Sequence, residues 1–500
     1  MMMSMKFFVV ALTWSWVVDG FVLPSYRDNK ILCPHPFPVR KSSLTATSMS
    51  NGNDSGKDPS PKLPPGRRTP PYFSFLFDDT VRLLNPKSMA SYQTKRAKEY
   101  DSDIFKTSIF GTPTVFVTSE EGLILLGKEE ARTRSRAGTE ACFPPHHQRL
   151  FGPKAVLVQS GDVHNRLRRL IQPSLSSTIM ETVYQPIVDQ GLDDFLSGLK
   201  GVQTNEDGYL NLVPELRKFF ISIALEILLG RASAVPEGLS QDLTVWSRGL
   251  LSAPLTFIPW STAAKAIRAR KRIIDAMQPL LNQERNAEPH SDSLLGRLVS
   301  TVDEETGEKL SDDDILDNVL TIIFAGSDTT ASAAASMCMV LSLYPELEAH
   351  LRQNPNDIDR FVGSILQQYP PAPFGMRLVK EALSVKGYDI PKNWMVVYGF
   401  AGAQAAKTEG LEQEQVWKSF VKQSEEMGPV SSSVSFGAGP RMCPGRYLAS
   451  LELKTLCQKL VGDSGGVPWT LQEGQNFQQT YNPGFFPKDG LKIKLKRLVS

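Results

Sequence analysis

The sequence predicts an α+β fold in which helix dominates. From about Pro153 to Tyr344 apolar residues recur at helical spacing, with short Pro/Gly interruptions such as Ala234-Val235-Pro236-Glu237-Gly238. Strand-like runs are few and lie outside that stretch: Ile104–Phe110 and Thr114–Val117 before it, Leu383–Val385 and Trp394–Tyr398 after it. A helical body with a small amount of antiparallel sheet is the expected architecture. The 500 residues are 41% hydrophobic and 22% charged, enough for one large domain or two to three smaller ones. A net charge of +2 gives no reason to expect a nucleic acid or a strongly acidic partner.

The first 60 residues read as targeting and linker. Lys6 precedes the apolar run Phe7 to Val18, which ends at Asp19-Gly20. Twelve residues fall short of the ~20 that span a bilayer as a helix, and they suit the core of a secretory signal peptide over residues 1–20. Asn29 to Asn53 has no Asp or Glu but carries Lys30, Arg40, Lys41 and many Ser and Thr, the composition of a transit peptide. Together they look like the two-part presequence of algae with complex plastids, so plastid delivery is expected; the alternative is an uncleaved anchor in the endoplasmic reticulum membrane. Ser50 to Pro71 is a Gly/Pro/Ser/Lys-rich linker, and Lys62-Leu63-Pro64-Pro65-Gly66 marks the entry to a single domain over residues 61–500.

Along that domain, branched and aromatic residues flank Gly111-Thr112-Pro113, which predicts a β-hairpin from Ile104 to Val117. Ser311-Asp312-Asp313-Asp314 opens a long apolar helix with a capping-box pattern, followed by Ile315, Val319, Ile322 and Ile323. Within it lies Ala325-Gly326-Ser327-Asp328-Thr329-Thr330. Gly326 costs about 1 kcal/mol relative to Ala in a helix, which marks a place of close approach to the backbone. Thr329 is positioned to bond the carbonyl of Ala325 and bend the helix there. A small-residue packing face with incidental hydroxyls is the plainer reading of this segment.

Five cysteines (Cys33, Cys142, Cys338, Cys443 and Cys457) are odd in number and include no C-x-x-C pair, so neither a disulfide framework nor a structural zinc site is expected. Cys443 stands out by its surroundings. Gly437, Gly439 and Gly445 permit a tight loop and close approach of a flat ligand. Pro444 suits a first helical position, and Leu448, Leu451, Leu456 and Leu460 continue as an amphipathic helix. Cys443 would then sit at a helix N-terminus, which favours thiolate over thiol. Phe436 is placed to shield the sulfur, and Arg441 to meet an acidic group on the same ligand. Taken alone, a cysteine is more often a buried, inert thiol.

At these residues the chain resembles the cytochrome P450 superfamily, whose signature is Phe-x-x-Gly-x-Arg-x-Cys-x-Gly; Phe436, Gly439, Arg441, Cys443 and Gly445 match every specified position. The resemblance implies haem b (iron protoporphyrin IX), with Cys443 as its axial iron ligand and Arg441 on a propionate. A thiolate ligand favours O–O cleavage. It further implies that Asp328 and Thr329 deliver protons and that Ala325 and Gly326 line the oxygen pocket. Arg377, after Pro370-Pro371, resembles the family's propionate-binding Arg, and His164 with Arg168 resembles the Trp/His-x-x-x-Arg segment for the other propionate.

One departure stands out. The family's Glu-x-x-Arg is replaced by Ser364-Ile365-Leu366-Gln367, and the later segment between Glu409 and Val430 lacks the Arg that completes the network. Losing the whole charge set together is tolerable where losing one partner is not. Pro345 to Pro370 leaves room for little more than one helix.

The expected activity is oxidation of a hydrophobic small molecule by O2. Two electrons come from a redox partner, ferredoxin or an NADPH-dependent flavoprotein reductase, because no flavin or nicotinamide fingerprint is visible. The proline-rich segment and Arg377 resemble the branch of retinoic acid hydroxylases and their cyanobacterial relatives, which points to an isoprenoid, retinoid or sterol. Peripheral membrane contact is part of the expectation, and substrate contacts are expected around Phe143 to Leu157 and Trp246 to Ser261. Two other readings are a haem-thiolate isomerase or lyase of hydroperoxides, and a haem-binding protein without catalysis.

Overall fold

The computed structural model describes residues 62–67, 79, 82–83 and 89–496, apart from 110, 133–137, 144, 231–234, 251, 253–254, 406–411, 424–433, 463–466 and 482–483. The targeting segments expected over residues 1–60 lie outside the described residues.

Among the described residues, helices of six or more residues are α1 (Met89–Glu99), α2 (Glu120–Arg132), α3 (Pro145–Phe151), α4 (Gly161–Ile171), α5 (Gln185–Gly198), α6 (Leu212–Leu229), α7 (Leu239–Leu250), α8 (Thr262–Arg285), α9 (Leu294–Ser300), α10 (Asp312–Leu343), α11 (Pro345–Gln353), α12 (Ile358–Gln368), α13 (Phe400–Ala405), α14 (Gln413–Gln423) and α15 (Arg446–Val461). The region expected to hold little more than one helix holds two, α11 and α12. Tyr344 and Asn354 cap α11 with only a one-turn 3-10 helix following, so the chain spends few residues on connections.

The predicted hairpin is β1 (Ile104–Ile109) against β2 (Thr112–Val117), with Gly111 at φ +70° in the turn. It forms one edge of a five-stranded mixed sheet. Next to β2, in parallel, runs β8 (Met395–Tyr398), then antiparallel β5 (Gly375–Val379) and β3 (Thr139–Ala141). The sheet is therefore mixed and not purely antiparallel, because more than half of the chain separates β2 from β8 and lets them run the same way. The turn expected at 387–391 is itself partly strand: β7 (Tyr388–Ile390) pairs with β6 (Leu383–Val385). Small sheets also form from β4 (Leu210–Asn211), β9 (Trp469–Leu471) and β12 (Lys492–Leu495), and from β10 (Gln479–Tyr481) with β11 (Phe485–Pro487).

Alternation along the strands decides what covers each face of the large sheet. Val115, Val117, Val396 and Tyr398 bury one face against Leu123 and Leu126 of α2. Phe105, Phe116, Met395 and Val397 bury the other, where Tyr92 of α1 meets Phe116 edge-on at 5.5 Å. The main core is helical and centres on α10, which is buried on nearly all sides. Its predicted capping box is present: the Ser311 hydroxyl accepts from Asp314 N–H at 3.1 Å, and Asp314 accepts from Ser311 N–H at 3.2 Å. Such a cap is worth about 1 kcal/mol.

Candidate active site

The cysteine loop is closed by its own backbone. Cys443 N–H donates to the Phe436 carbonyl at 2.8 Å, and Gly437 (φ +81°) and Gly439 (φ +70°) occupy the left-handed region that side chains avoid. A β-carbon on Gly439 would lie 2.6 Å from the Gly127 carbonyl. The closest neighbour of Gly439 is thus the backbone of α2, so this glycine serves helix docking and not the approach of a flat ligand. Gly445 caps α15, which starts at Arg446, so Pro444 lies before the helix and not at its first position. The proline at a helical first turn is Pro440, in the 3-10 turn Gly439–Arg441.

Cys443 therefore stands just outside α15, and the expected thiolate preference is not what dominates. Burial pushes the thiol up from its ordinary value; a backbone hydrogen bond from Gly445 and the charges of Arg168 and Arg446 oppose this. The sulfur is nevertheless only half-buried by surface. A side chain surrounded by protein yet reachable by water lies on the wall of an internal hollow.

The same signature marks the middle of α10. Ala325 is exposed and Gly326 and Thr329 are half-buried, although Ile323, Ser327, Asp328 and Thr330 of the same turns are buried. No atom lies within 4 Å of where a β-carbon on Gly326 would stand. The Thr329 hydroxyl donates to the Ala325 carbonyl at 2.5 Å, as its spacing predicts. Asp328 faces elsewhere: its carboxylate pairs with Arg217 of α6 at 3.4 Å, and that guanidinium lies 4.2 Å from the ring centre of Phe486. Among the described residues no hydrogen bond joins Asp328 to Thr329, because consecutive helical residues point about 100° apart. Burial pushes the Asp328 carboxyl up to about 6, against the pull of Arg217.

A buried cluster of aromatic side chains packs against α10 beside that open face. Phe324, next to Ala325, meets Trp246 of α7 at 5.6 Å and Phe151 of α3 at 5.8 Å; Phe151 and Trp246 are 5.8 Å apart. Trp246 is fixed by its Nε1–H, which donates to the Leu150 carbonyl at 2.9 Å. The His147 ring stacks 6.5 Å from Phe151. The two segments expected to contact substrate thus converge on α10.

On the other side of the cysteine loop the structure gathers cations. Helical spacing sorts the basic run of α4 into two faces. Arg166 and Arg169 pair with Glu308 (2.8 Å) and Asp303 (3.0 Å), whereas His164 is buried and Arg168 turns to the Met442 carbonyl. Arg441 donates to the Gln159 carbonyl at 2.6 Å and the Ser160 hydroxyl at 3.1 Å. Arg377, on β5, donates to the carbonyl of Met376 and stands 3.4 Å from Glu130. Burial, and then the like charge of Arg377, lowers the Arg441 guanidinium to about 10. His164 and Arg441 also line one small cavity.

This donor set suits haem b. Crowded, partly desolvated guanidiniums repel one another, and Arg377 Nε makes no hydrogen bond among the described residues. Two carboxylates on one ligand edge would relieve both problems. A half-buried sulfur, an open helix face at Ala325–Gly326 and aromatic side chains complete what a flat, largely apolar, iron-bearing ring requires.

Two other buried groups gave no local sequence motif. Glu452, on α15, is fully buried and its carboxyl is pushed up to about 8 by burial, with Thr330 of α10 partly opposing; Oε2 has no hydrogen-bond partner among the described residues. It occupies the fourth position of the Leu448–Leu456 stripe, where an acid interrupts an apolar face. Arg217 carries no such signal, because its partner is 111 positions away.

The departure in α12 is resolved by aromatic packing. Phe361 meets Trp417 of α14 at 5.7 Å and Phe420 at 6.1 Å. Ser364 donates to the Arg360 carbonyl at 2.9 Å, and Gln367 is buried. The buried charge at this junction, Arg360, lies 3.8 Å from the Phe420 ring centre, donates to the Phe420 carbonyl at 3.0 Å and pairs with Asp357 at 3.5 Å.

Known proteins agree with this architecture. The cytochrome P450 family model matches residues 64–365 and 359–463. Cytochrome P450 120 of Synechocystis sp. is 25% identical over 465 residues, covering 87% of this chain and 97% of that relative. Abscisic acid 8'-hydroxylase 3 of Oryza sativa subsp. indica is 28% identical over 466 residues, covering 88% of each. A solved structure described as retinoic acid bound cyanobacterial CYP120A1 superposes with a TM-score of 0.73 at 24% identity, over 87% of this chain and 99% of that one. With the cysteine loop, the open helix face and the arginine cluster in one fold, the chain belongs to the cytochrome P450 family and is a haem-dependent monooxygenase.

Proposed function

We propose that this enzyme hydroxylates an isoprenoid-derived small molecule, of the class to which retinoic and abscisic acids belong. The observation that carries this reading is the open face of α10, where exposed Ala325 and half-buried Gly326 follow the half-buried Phe324. Phe151 and Trp246, buried behind Phe324, make that side of the face apolar, which suits an unsaturated chain or ring. The names of the relatives, an abscisic acid hydroxylase and a retinoic-acid-bound protein, point to the same chemical class.

The haem supplies activation of O2 with two electrons from a partner protein. Cys443 would provide the sulfur ligand, with Phe436 and the Gly445 N–H at its flanks. Arg441, Arg377, Arg168 and His164 would hold the carboxylate edge of the ring, and Ala325 and Gly326 would let α10 approach it. Thr329 holds a proton-bearing hydroxyl at the open face. Asp328, tied to Arg217, is the reserve acid behind it, ionised above about pH 6. Phe151 and Trp246, buried behind Phe324, keep that side of the face apolar and exclude water.

The electron donor is a ferredoxin, if the chain enters a plastid as its N-terminal composition suggests, or otherwise an NADPH-dependent flavoprotein reductase. Among the described residues no helix is long and apolar enough to cross a membrane. Peripheral contact would use Phe257 and Trp260, which are 67% and 76% exposed between α7 and α8, beside Arg149 and Arg268.

The test is substrate-induced spectral titration of the haem-loaded chain with retinoic acid, abscisic acid and carotenoid fragments. Ferredoxin- or reductase-driven turnover follows, with products read as a gain of one oxygen. Saturable shifts with at least one isoprenoid and a hydroxylated product are expected. No shift and no product with any of them would end the substrate reading.

A further inference from the structure

The buried face of α2 runs Leu123, Leu126, Glu130. A carboxylate at a core position costs several kcal/mol unless partners surround it. Glu130 has a partner on each of three adjacent strands. Thr139 of β3 donates its hydroxyl to Oε1, and Tyr398 of β8 donates its hydroxyl to Oε2 at 2.7 Å. Arg377, on β5 between them, brings Nε to 3.4 Å from Oε1. Tyr398 also faces the Arg377 guanidinium, 5.6 Å from its ring centre. Glu130 further shares with Arg441 and His164 the wall of a cavity of about 30 Å³, room for an ordered water.

The charges at this corner are unequal. Arg377 and Arg168 bear on Arg441, Arg168 and Arg446 bear on Cys443, and Glu130 is a buried carboxylate that acts on Arg441 and Arg377. Among these described residues the guanidiniums outnumber the carboxylate. A ring edge carrying two propionates brings two negative charges.

We propose that Glu130 is a fixed counter-charge of the propionate seat, a positioning residue that holds Arg377 and offsets part of the guanidinium charge gathered there. This rests on the haem seat proposed above. Without Glu130, Arg377 would lose its carboxylate partner and lean on the ring's carboxylates alone. The hydroxyls of Thr139 and Tyr398 fix the carboxylate from both sides, so it cannot swing toward solvent when the ring enters.

The test uses Glu130→Gln in the haem-loaded full chain, alone and combined with Arg377→Met. Reduction adds an electron to the haem, and a fixed negative charge nearby opposes it. Glu130→Gln is therefore expected to raise the ferric–ferrous midpoint by about tenfold in the reduction constant, or ~59 mV for a one-electron couple. Haem release to apomyoglobin should quicken by about tenfold, because Arg377 loses its anchor. In the Arg377→Met background the same change should alter release less than twofold. An unchanged potential overturns the proposal, as does an equal effect on release in both backgrounds, which would mean that Glu130 only braces the sheet. Should Arg377→Met alone leave haem release unchanged, the seat itself is misassigned and the proposal falls with it. If Glu130→Gln does not fold, Thr139→Val with Tyr398→Phe frees the carboxylate while keeping its charge. That variant should release haem faster at an unaltered potential, and unaltered release overturns the idea.

Discussion

Two buried corners of this molecule handle charge in opposite ways. Around the cysteine loop, Arg168, Arg377 and Arg441 are brought together beside the carboxylate of Glu130, at the cost of lowering the Arg441 guanidinium to about 10. At the junction of α12 and α14, where the sequence resemblance implies a charge network, Ser364 and Gln367 stand instead, beside Phe361, Trp417 and Phe420. The charge buried there, Arg360, has Asp357, a carbonyl and an aromatic ring within reach. The difference teaches where a fold can carry excess charge: where a ligand supplies the counter-ions, and not where the chain must supply them itself. Glu452 shows a third way, because burial keeps it protonated at neutral pH.

The largest expected effect comes from the charged corner. Cys443→Ala should abolish turnover and the thiolate-type spectrum of the carbonyl adduct, while the aromatic junction keeps the apo-fold intact by circular dichroism. A surviving thiolate spectrum would remove Cys443 from its role.

Next comes a charge placed in the neutral corner. Ser364→Glu alone should cost about 3–5 kcal/mol in urea unfolding, since its partners are absent. Adding Gln367→Arg should recover most of that loss. A neutral outcome for the single variant would show that the junction is open to water.

The two arginine sites should also part company. Arg441→Met is expected to leave the haem-free chain as stable or more stable, yet weaken haem retention by about 2–3 kcal/mol, the scale of charge-assisted bonds. Arg360→Met should destabilise loaded and haem-free chains alike. If both variants behave the same way, the contrast between the corners is void.

The last expected effect is pH-dependent. The Glu452 carboxyl is held above its unfolded value of 4.5, so the folded chain binds the extra proton between about pH 4.5 and 8. Stability from this group is full below pH 4.5 and is lost as pH rises through about 8. Glu452→Gln should flatten that slope, gaining about 4 kcal/mol at pH 9 relative to pH 5, measured by denaturant midpoints. Parallel curves for both proteins would mean that water reaches the group.

Much of the site was legible beforehand because its signals are local. The capping box at Ser311, the Thr329–Ala325 bond, the hairpin turn at Gly111 and the Phe436-to-Gly445 loop each depend on residues within a few positions of one another. Glu130 and Glu452 were overlooked although each puts an acid on a buried helical stripe, Leu123–Leu126–Glu130 and Leu448–Glu452–Leu456, which is a readable irregularity. The number of helices between Pro345 and Pro370 was underestimated because a proline-started helix and a one-turn connection need very few residues.

What the sequence determined by itself is the helical excess, the loop that carries Cys443 and the cap and bend of α10, since short-range sterics and hydrogen bonds set all of these. Tertiary structure alone decided which strands flank β8, that Asp328 turns to Arg217 and away from Thr329, and that Glu130 meets residues from three strands. Those partners lie as far apart as Thr114 and Met395, and their pairing depends on how the burial of whole faces brings distant segments together.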